Sequence, residues 1–168
     1  MPRKTFIDHS ATHLTQMNKA VFPGSFDPFT IGHANLVERA VKLFDEVIIA
    51  VGYNEHKTGW LPIEERVRAL REYYKDNAQI RVASYTGLTV DFAESQRAQF
   101  ILRGVRSVKD YEYELGIADI NSRLADVETV VLLADPNISG ISSSVVRELH
   151  HFGRDITPWL PQGLNYII

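Results

Sequence analysis

The sequence predicts an α/β protein built as a single-domain, doubly wound parallel sheet. Short hydrophobic segments of strand length alternate along the chain with segments of helical periodicity, and this alternation is typical of right-handed βαβ crossovers. The chain has 168 residues, the size of one ordinary domain. Its composition is 45% hydrophobic and 23% charged, as in globular proteins, and it contains no cysteine. A disulfide framework and a thiol nucleophile are therefore excluded.

Charge and hydropathy exclude further classes of protein. The net charge of −3 argues against a dedicated nucleic-acid binder. No apolar run approaches the ~20 residues that cross a bilayer, and the longest, such as Thr129–Ala134, have the length of strands. The N-terminus lacks the basic and apolar regions of a signal peptide. We therefore expect a cytoplasmic protein whose partners are neither nucleic acids nor membranes.

Residues 1–16 differ from the rest of the chain in being polar and without clear periodicity. We expect them to form a flexible N-terminal extension to a domain that spans residues 17–168. His9 and His13 have the i,i+4 spacing of a helical metal site, but no third ligand is evident, so a solvated tail is the favoured interpretation.

The first elements follow directly from the pattern. Lys19–Phe22 is strand-like and is followed by a turn-rich loop, Pro23–Pro28. From Ile31 the apolar residues follow a helical period, and Thr30 is placed to cap that helix. Val47–Val51 is a continuous apolar run, as expected of a strand that is buried on both faces.

A second helix, a strand and a short third helix come next. Pro62 lies in the first turn of a predicted helix whose apolar stripe includes Ile63 and Val67. Ile80–Ala83 has the pattern of a strand, and Thr89–Gln96 that of a short helix.

The remaining elements carry clear start and stop signals. Phe100–Leu102 and Val130–Leu133 are predicted strands. Between them, Ser107 and Asp110 have the spacing of a capping box that opens a helix through about Leu124.

The last helix is predicted from a run of serines to Phe152. Ser142 and Ser143 are candidate caps, and Gly153 should end the helix.

In a sheet of this class, ligands bind beyond the carboxyl ends of the strands. That rule selects four predicted loops: Pro23–Thr30, Gly52–Leu61, Arg103–Ser107 and Asp135–Ser143.

The first loop has the features of an anion site. Gly24 allows close approach of the backbone, and Ser25 offers a hydroxyl and an N–H group. The helix after it begins Thr30-Ile31-Gly32-His33, and the free N–H groups of a helix start attract phosphate. The loop is neither a Walker A sequence nor a G-x-G-x-x-G fingerprint. The alternative at this point is an ordinary strand–helix junction with an exposed histidine.

The other loops supply cations and hydroxyls. Arg103 and Arg106 flank Gly104 after a buried strand, a pattern that suits bidentate binding of phosphate, although surface ion pairs are the alternative. Three serines, Ser142–Ser144, precede Arg147 at a helix start and indicate a second anion site. A lone loop lysine such as Lys57 is usually just solvated. Together these groups predict one cationic crater that fits a polyphosphate nucleotide.

The absence of two kinds of catalytic pattern limits the reaction types that this sequence supports. No G-x-S-x-G elbow occurs, and no closely spaced carboxylates suggest a metal cage built by the protein. A site of N–H groups, hydroxyls, one histidine and cations acts by positioning and by stabilising charge on phosphate. We therefore predict direct phosphoryl or nucleotidyl transfer without a covalent enzyme intermediate.

Two of these segments resemble signatures of the nucleotidyltransferase superfamily. Thr30–His33 resembles its (H/T)xGH signature, and Ile141–Ser144 with Arg147 resembles ISS(S/T)xx(R/K). Within that superfamily the sequence is most similar to the bacterial phosphopantetheine adenylyltransferases. Further matching stretches recur in the family's order and spacing: Phe22–Pro28, Glu64–Val67, Arg103–Arg106 and Asp110–Glu114.

This resemblance implies a Rossmann-like nucleotidyltransferase fold and a reaction. The enzyme would transfer the adenylyl group of ATP to 4′-phosphopantetheine, with Mg²⁺, to give dephospho-coenzyme A and pyrophosphate in the penultimate step of coenzyme A synthesis. It also implies a homohexamer that is inhibited by coenzyme A.

The resemblance assigns roles at the matching positions. His33 would stabilise the transition state at the α-phosphate, and Lys57 would orient the reacting phosphates. The residues that would bind 4′-phosphopantetheine are Ser25, Lys57, Thr89 and Arg103. Those that would bind ATP are Ser25, Phe26, His33, Gly104, Val105, Arg106, Glu114, Ile138, Ser139, Gly140, Ile141, Ser142, Ser143 and Ser144. Many members carry a tryptophan near the adenine where this chain has Asn137–Gly140, so we expect backbone contacts to the base.

Two alternatives to this function stay open. A related adenylyltransferase acting on a pyridine or flavin mononucleotide would share the fold and both signatures, although Lys57 and Arg103–Arg106 match the pantetheine branch. A non-catalytic nucleotide sensor is the other alternative, and the retained His33 argues against it.

Overall fold

The computed structural model describes residues 17–53 and 58–167. The expected extension, with His9 and His13, lies outside these residues, as does Lys57. The elements are β1 (Lys19–Gly24), α1 (Ile31–Ala40), β2 (Glu46–Gly52), α2 (Ile63–Tyr73), β3 (Ile80–Tyr85), α3 (Thr89–Ser95), β4 (Phe100–Val105), α4 (Val108–Leu124), β5 (Glu128–Leu133), α5 (Ser143–His151) and a 3₁₀ turn, Thr157–Trp159. None of the described helices is long and apolar enough to cross a membrane.

The five strands form one parallel sheet in the order β3-β2-β1-β4-β5, which confirms the predicted fold class. The order reverses between β1 and β4, because the chain adds β2 and β3 on one side of β1 and then crosses to the other. Such a switch point opens a crevice at the carboxyl edge of the sheet.

Alternate residues of the central strands pack on opposite faces of the sheet. Val47 and Ile49 belong to the larger core cluster, under α1 and α2, whereas Ile48 lies in the smaller cluster with Val90 of α3. Burial on both faces explains why the sequence of β2 is apolar without a break.

All five strands extend further than their sequence patterns indicated, and the extensions of β1 and β4 bear on the site. β1 continues through Pro23 and Gly24, paired with β2, and β4 continues through Arg103–Val105, paired with β5. The segments expected to be loops there are strand ends, because the ladders to their outer neighbours continue. Between β1 and β4 the pairing covers only Ala20 and Val21, so the two strands separate beyond that point and leave the crevice.

The predicted helix caps are confirmed at four positions. Thr30, Ser107 and Ser142 are the N-cap residues of α1, α4 and α5. Gly153 follows α5 with a φ of 69°, a conformation that favours glycine.

Candidate active site

A cavity of about 580 Å³ occupies the crevice between β1 and β4. Three of the four predicted loops meet around it. Most of the predicted ATP-binding residues line it: Ser25, Phe26, His33, Gly104, Val105, Arg106, Glu114, Ile138, Ser139, Ile141, Ser142, Ser143 and Ser144. Arg103 and Arg147 also line it, whereas Gly140 does not. The convergence that the sequence predicted is therefore present in the fold.

His33 lies in the first turn of α1, packed among aromatic rings. Its ring centroid is 5.2 Å from that of Phe26, 5.3 Å from that of Phe29 and 6.3 Å from that of Phe22. The backbone N–H of Thr30 donates to Nδ1 at 3.0 Å. That bond assigns the lone pair to Nδ1 and the proton to Nε2, on the far side of the ring. His33 is therefore oriented as a neutral Nε2–H donor beside the cavity.

Burial in this aromatic surround, together with a smaller effect of the positive charge of Arg106, lowers the pKa of His33 from 6.5 to about 4. The ring is thus neutral at physiological pH and can donate a hydrogen bond without acting as a strong acid. A single charged phosphate near the ring would oppose this shift.

We expect the imidazole of His33 in the free protein to stay neutral down to about pH 5. Its protonation would favour the unfolded chain, so its contribution to stability is complete above pH 6.5 and is lost as the pH falls toward 4. Nitrogen-15 spectra of the imidazole, recorded from pH 8 to pH 4.5, measure the titration. A midpoint for His33 near 6.5 would contradict this assignment.

The loop between β1 and α1 presents its backbone rather than the Phe26 side chain. The Phe26 ring is only 2% exposed and packs in the core, and φ at this residue is 47°. A Cβ added at Gly24 would lie 2.8 Å from that ring, so the glycine is required for this packing. The predicted ATP contact at Phe26 is therefore available only through the main chain.

Arg103, which is partly exposed, makes an ion pair with the buried Glu114. Its Nε donates to Oε2 at 2.6 Å, its Nη2 donates to Oε1, and its Nη1 donates to the carbonyl oxygen of Pro23 at 3.2 Å. Glu114 is 7% exposed. The Glu114 carboxylate, predicted to contact ATP, is thus occupied by Arg103 and fixes that guanidinium across the gap between β1 and β4.

Two other arginines that line the cavity, Arg106 and Arg147, differ in how many of their donor groups are hydrogen-bonded to the protein. Arg106 lines the cavity, is half exposed and donates from Nε to Asp110 at 3.0 Å. Its terminal nitrogens have no acceptor among the described residues. Arg147 donates to the carbonyl oxygen of Asp27 at 2.5 Å and to Ser144 Oγ at 3.2 Å. Arg147 therefore tethers the first loop as well as lining the cavity.

The serines at the start of α5 have separate roles. The Ser142 hydroxyl accepts from Val145 N–H at 3.3 Å and is the cap, whereas the Ser143 hydroxyl donates to the Pro28 carbonyl oxygen at 2.8 Å. The helix start is thereby tied to the first loop, and its N–H groups border the cavity.

A second cavity of about 480 Å³ adjoins the first, and Ser25 and Arg147 line both. Its wall includes Tyr53 and Thr58, which flank the segment containing Lys57. Lys57 itself lies outside the described residues. Thr89 lines neither cavity: its hydroxyl is 2.7 Å from Tyr85 Oη, and Tyr85 borders the second cavity.

The carboxylates that border the main cavity accept hydrogen bonds from protein groups. Asp110 binds Arg106, Glu114 binds Arg103, and Asp135 accepts from Asn137. Over residues 17–53 and 58–167, no group of three acidic, histidine or cysteine side chains is placed to hold a metal ion. Magnesium prefers phosphate and water oxygens as ligands.

Sequence reasoning missed the residues that hold the first loop from behind. Arg66 of α2 donates to the Ser25 carbonyl oxygen at 2.8 Å. The Asp27 carboxylate accepts from the N–H groups of Trp60 and Leu61 at 2.7 and 2.8 Å. Tyr166 Oη accepts from the Phe29 N–H at 2.9 Å. One signal was available: Arg66 is the third residue after Ile63 and so falls on the apolar stripe of α2.

Comparison with known proteins supplies relatives for both sequence and fold. Residues 21–149 match the Cytidylyltransferase-like family. The chain is 53% identical to a phosphopantetheine adenylyltransferase of Bacteroides thetaiotaomicron over 149 residues, covering 89% of this chain and 99% of the relative. It is 51% identical, with the same coverage, to the protein of that name from Phocaeicola vulgatus, and 45% identical to one from Flavobacterium johnsoniae, of which 98% is covered.

The solved structures that resemble this chain are more distant. A nicotinate-nucleotide adenylyltransferase, described as putative, from Vibrio parahaemolyticus superposes with a TM-score of 0.61 at 16% identity, covering 89% of this chain and 96% of that one. A lipopolysaccharide core biosynthesis protein from Thermoplasma volcanium gives a TM-score of 0.53 at 17% identity, with 71% and 98% covered. At such identities the likeness establishes the shared fold.

Proposed function

Because this chain belongs to the phosphopantetheine adenylyltransferases, within the cytidylyltransferase-like family, we infer that it transfers the adenylyl group of ATP to 4′-phosphopantetheine. The products are dephospho-coenzyme A and pyrophosphate. The observation that carries this inference is about 50% identity over nearly the full length of the curated relatives. Transfer to a pyridine or flavin mononucleotide and a purely nucleotide-sensing role are both disfavoured by it.

The site supports direct in-line transfer. A phosphate oxygen of the acceptor would attack the α-phosphorus of ATP, a new P–O bond would form, and the bond to pyrophosphate would break. The negative charge that develops on the α-phosphoryl oxygens would be stabilised by His33 Nε2–H and by the free N–H groups at the start of α1. Its neutral state and fixed Nδ1 support this role for His33.

The remaining contacts divide between the two substrates. Arg106 and the start of α5, with Ser142–Ser144, would hold the phosphates of ATP, and Ile138, Ser139 and Ile141 would border the base. Arg103, fixed by Glu114, would bind the acceptor phosphate together with Lys57, and Ser25 would contact both substrates. The second cavity, which shares Ser25, would accommodate part of the pantetheine arm near Tyr85 and Thr89. Magnesium would enter bound to ATP, as part of the substrate, and neutralise the leaving pyrophosphate.

Assembly into a homohexamer is part of this proposal. Helix α4 carries several large apolar side chains that are more than half exposed, and the end of β5 adds another: Val108, Tyr113, Leu115, Ile120, Leu124 and Leu133. Exposed apolar area of this kind marks association surfaces.

Inhibition by coenzyme A is also part of this proposal, because coenzyme A contains the product's pantetheine and adenosine groups. The use of ATP as substrate supports action in the cytoplasm.

The activity is tested by isotope exchange. We expect radiolabelled pyrophosphate to enter ATP only when dephospho-coenzyme A is supplied, because the reverse reaction needs that product. Parallel reactions with NAD and with flavin adenine dinucleotide are the controls. Exchange with either dinucleotide in place of dephospho-coenzyme A would assign the chain to a different branch, and binding of ATP without any exchange would indicate a sensor.

A further inference from the structure

Arg66 is a buried arginine whose position the fold alone does not explain. It is 6% exposed and occupies the apolar stripe of α2. Burying a guanidinium costs free energy unless it is paired, and no described group accepts from its Nε. Its Nη1 donates to the Ser25 carbonyl oxygen at 2.8 Å. Arg66 borders the second cavity but not the main one, so it is placed behind the phosphate-binding loop rather than in it.

The peptide that Arg66 holds, Ser25–Phe26, is in a conformation that side chains rarely adopt. A φ of 47° at Phe26 lies in the left-handed region, at a cost on the order of 1 kcal/mol for a residue with a Cβ. Rotation of this peptide plane would change that angle and move the Ser25 carbonyl. The hydrogen bond from Arg66 opposes such a rotation.

Fixing the carbonyl also fixes the N–H group at the other end of the peptide. This peptide is trans, because the single cis bond in the described ranges is Asp27–Pro28. In a trans peptide the C=O and N–H groups point in opposite directions, so the Phe26 N–H points away from Arg66. Within residues 17–53 and 58–167 no group accepts a hydrogen bond from it, and Phe26 borders the main cavity.

We propose that Arg66 is a positioning residue that holds the Ser25–Phe26 peptide so that the Phe26 N–H donates to a phosphate oxygen of the nucleotide. Arg66 acts through this one peptide, to whose carbonyl oxygen its Nη1 donates. The inference rests on the proposed function, since it takes the main cavity to be the nucleotide site. It gives the buried guanidinium, the unfavourable φ and the unpaired N–H a common explanation.

The kinetic test replaces Arg66 with residues that differ only in what they can donate. Arg66→Met suits the apolar stripe and removes the buried charge, whereas Arg66→Lys keeps a charged donor. We expect Arg66→Met to lower kcat/KM for ATP by about 10- to 100-fold, since one preorganised donor is worth about 10²- to 10³-fold. The KM of Arg66→Met for phosphopantetheine should change less than threefold. The kcat/KM of Arg66→Lys for ATP should lie between that of the wild type and that of Arg66→Met.

The matched control is Arg68→Met on the same helix, because Arg68 is exposed and pairs with Glu65. Its kcat/KM should stay within twofold of wild type. A purely structural role for Arg66 predicts a changed melting temperature with unchanged kinetics per folded molecule. Wild-type kinetics in a folded Arg66→Met variant would therefore overturn the proposal.

A second readout does not depend on turnover. Labelling with [¹⁵N]phenylalanine gives eight backbone amide signals, and Phe26→Leu identifies that of Phe26. In the wild type, ATP should move the Phe26 amide proton downfield, whereas in Arg66→Met this shift should be lost. An absent shift in the wild type overturns the proposal even if the Met variant does not fold. If ATP shifts the Phe26 amide signal but pyrophosphate does not exchange into ATP in the presence of dephospho-coenzyme A, only the proposed acceptor substrate is contradicted.

Discussion

Replacing His33 with alanine is expected to lower kcat by about 10²- to 10³-fold while the Kd of ATP changes less than threefold. The imidazole is held as a neutral donor by the Thr30 N–H on its Nδ1, so its Nε2–H is available before the substrates bind. A preorganised donor of this kind stabilises the charge that develops in the transition state more than that of the bound ground state. Steady-state kinetics with isothermal titration of ATP separate the two effects.

The controls for this variant address folding and residue type. His33→Ala leaves space among three phenylalanine rings, so its melting temperature has to be measured alongside. His151→Ala removes an exposed imidazole that lines neither cavity and should leave kcat unchanged. A loss of ATP affinity with kcat preserved would make His33 a ground-state ligand instead.

Replacing Arg103 with alanine is expected to raise the KM for phosphopantetheine by at least about tenfold and to destabilise the fold by about 2–3 kcal/mol. The binding loss follows from removing a fixed positive charge that lines the cavity. The loss of stability follows because Glu114, 7% exposed, would keep a buried carboxylate without its partner. Removing one member of a buried pair costs about 3–5 kcal/mol, and the partial exposure of Arg103 reduces that figure.

A double variant separates these two consequences. Arg103→Met combined with Glu114→Gln removes both charges and should recover most of the stability without recovering substrate binding. Arg106→Ala is the matched single variant, because its partner Asp110 is only partly buried, and it should cost less than about 1 kcal/mol of stability. An unchanged KM in Arg103→Ala would remove the substrate role of Arg103, and unchanged stability would contradict the importance of the Glu114 pair.

Much of the fold could be predicted because its signals are local. The caps Thr30, Ser107 and Ser142 and the stop at Gly153 each depend on atoms within one helical turn. The apolar run of β2 reports burial on both faces without reference to any other segment. The strand ends were the exception: Gly24 and Arg103–Val105 are held in the sheet by ladders to β2 and β5, which no local pattern shows.

The candidate site was predicted at the level of its segments but not of its individual contacts. The rule that ligands bind at the carboxyl edge of a parallel sheet selected three segments that do meet at one cavity. It could not show that Phe26 is buried, that Glu114 binds Arg103, or that Thr89 turns toward Tyr85. Those outcomes depend on which neighbours compete for each group after folding.

The sequence by itself therefore determined the elements, their parallel arrangement and the family, since periodicity, caps and motifs are written in consecutive residues. Only the tertiary structure decided the protonation of His33, the pairing of Arg103 and the use of Arg66. The Arg66 bond joins residues 41 positions apart and the Arg147 bond residues 120 apart. A guanidinium close to a carbonyl oxygen and an imidazole packed among aromatic rings arise only when distant segments pack. That packing sets the charges the chemistry requires.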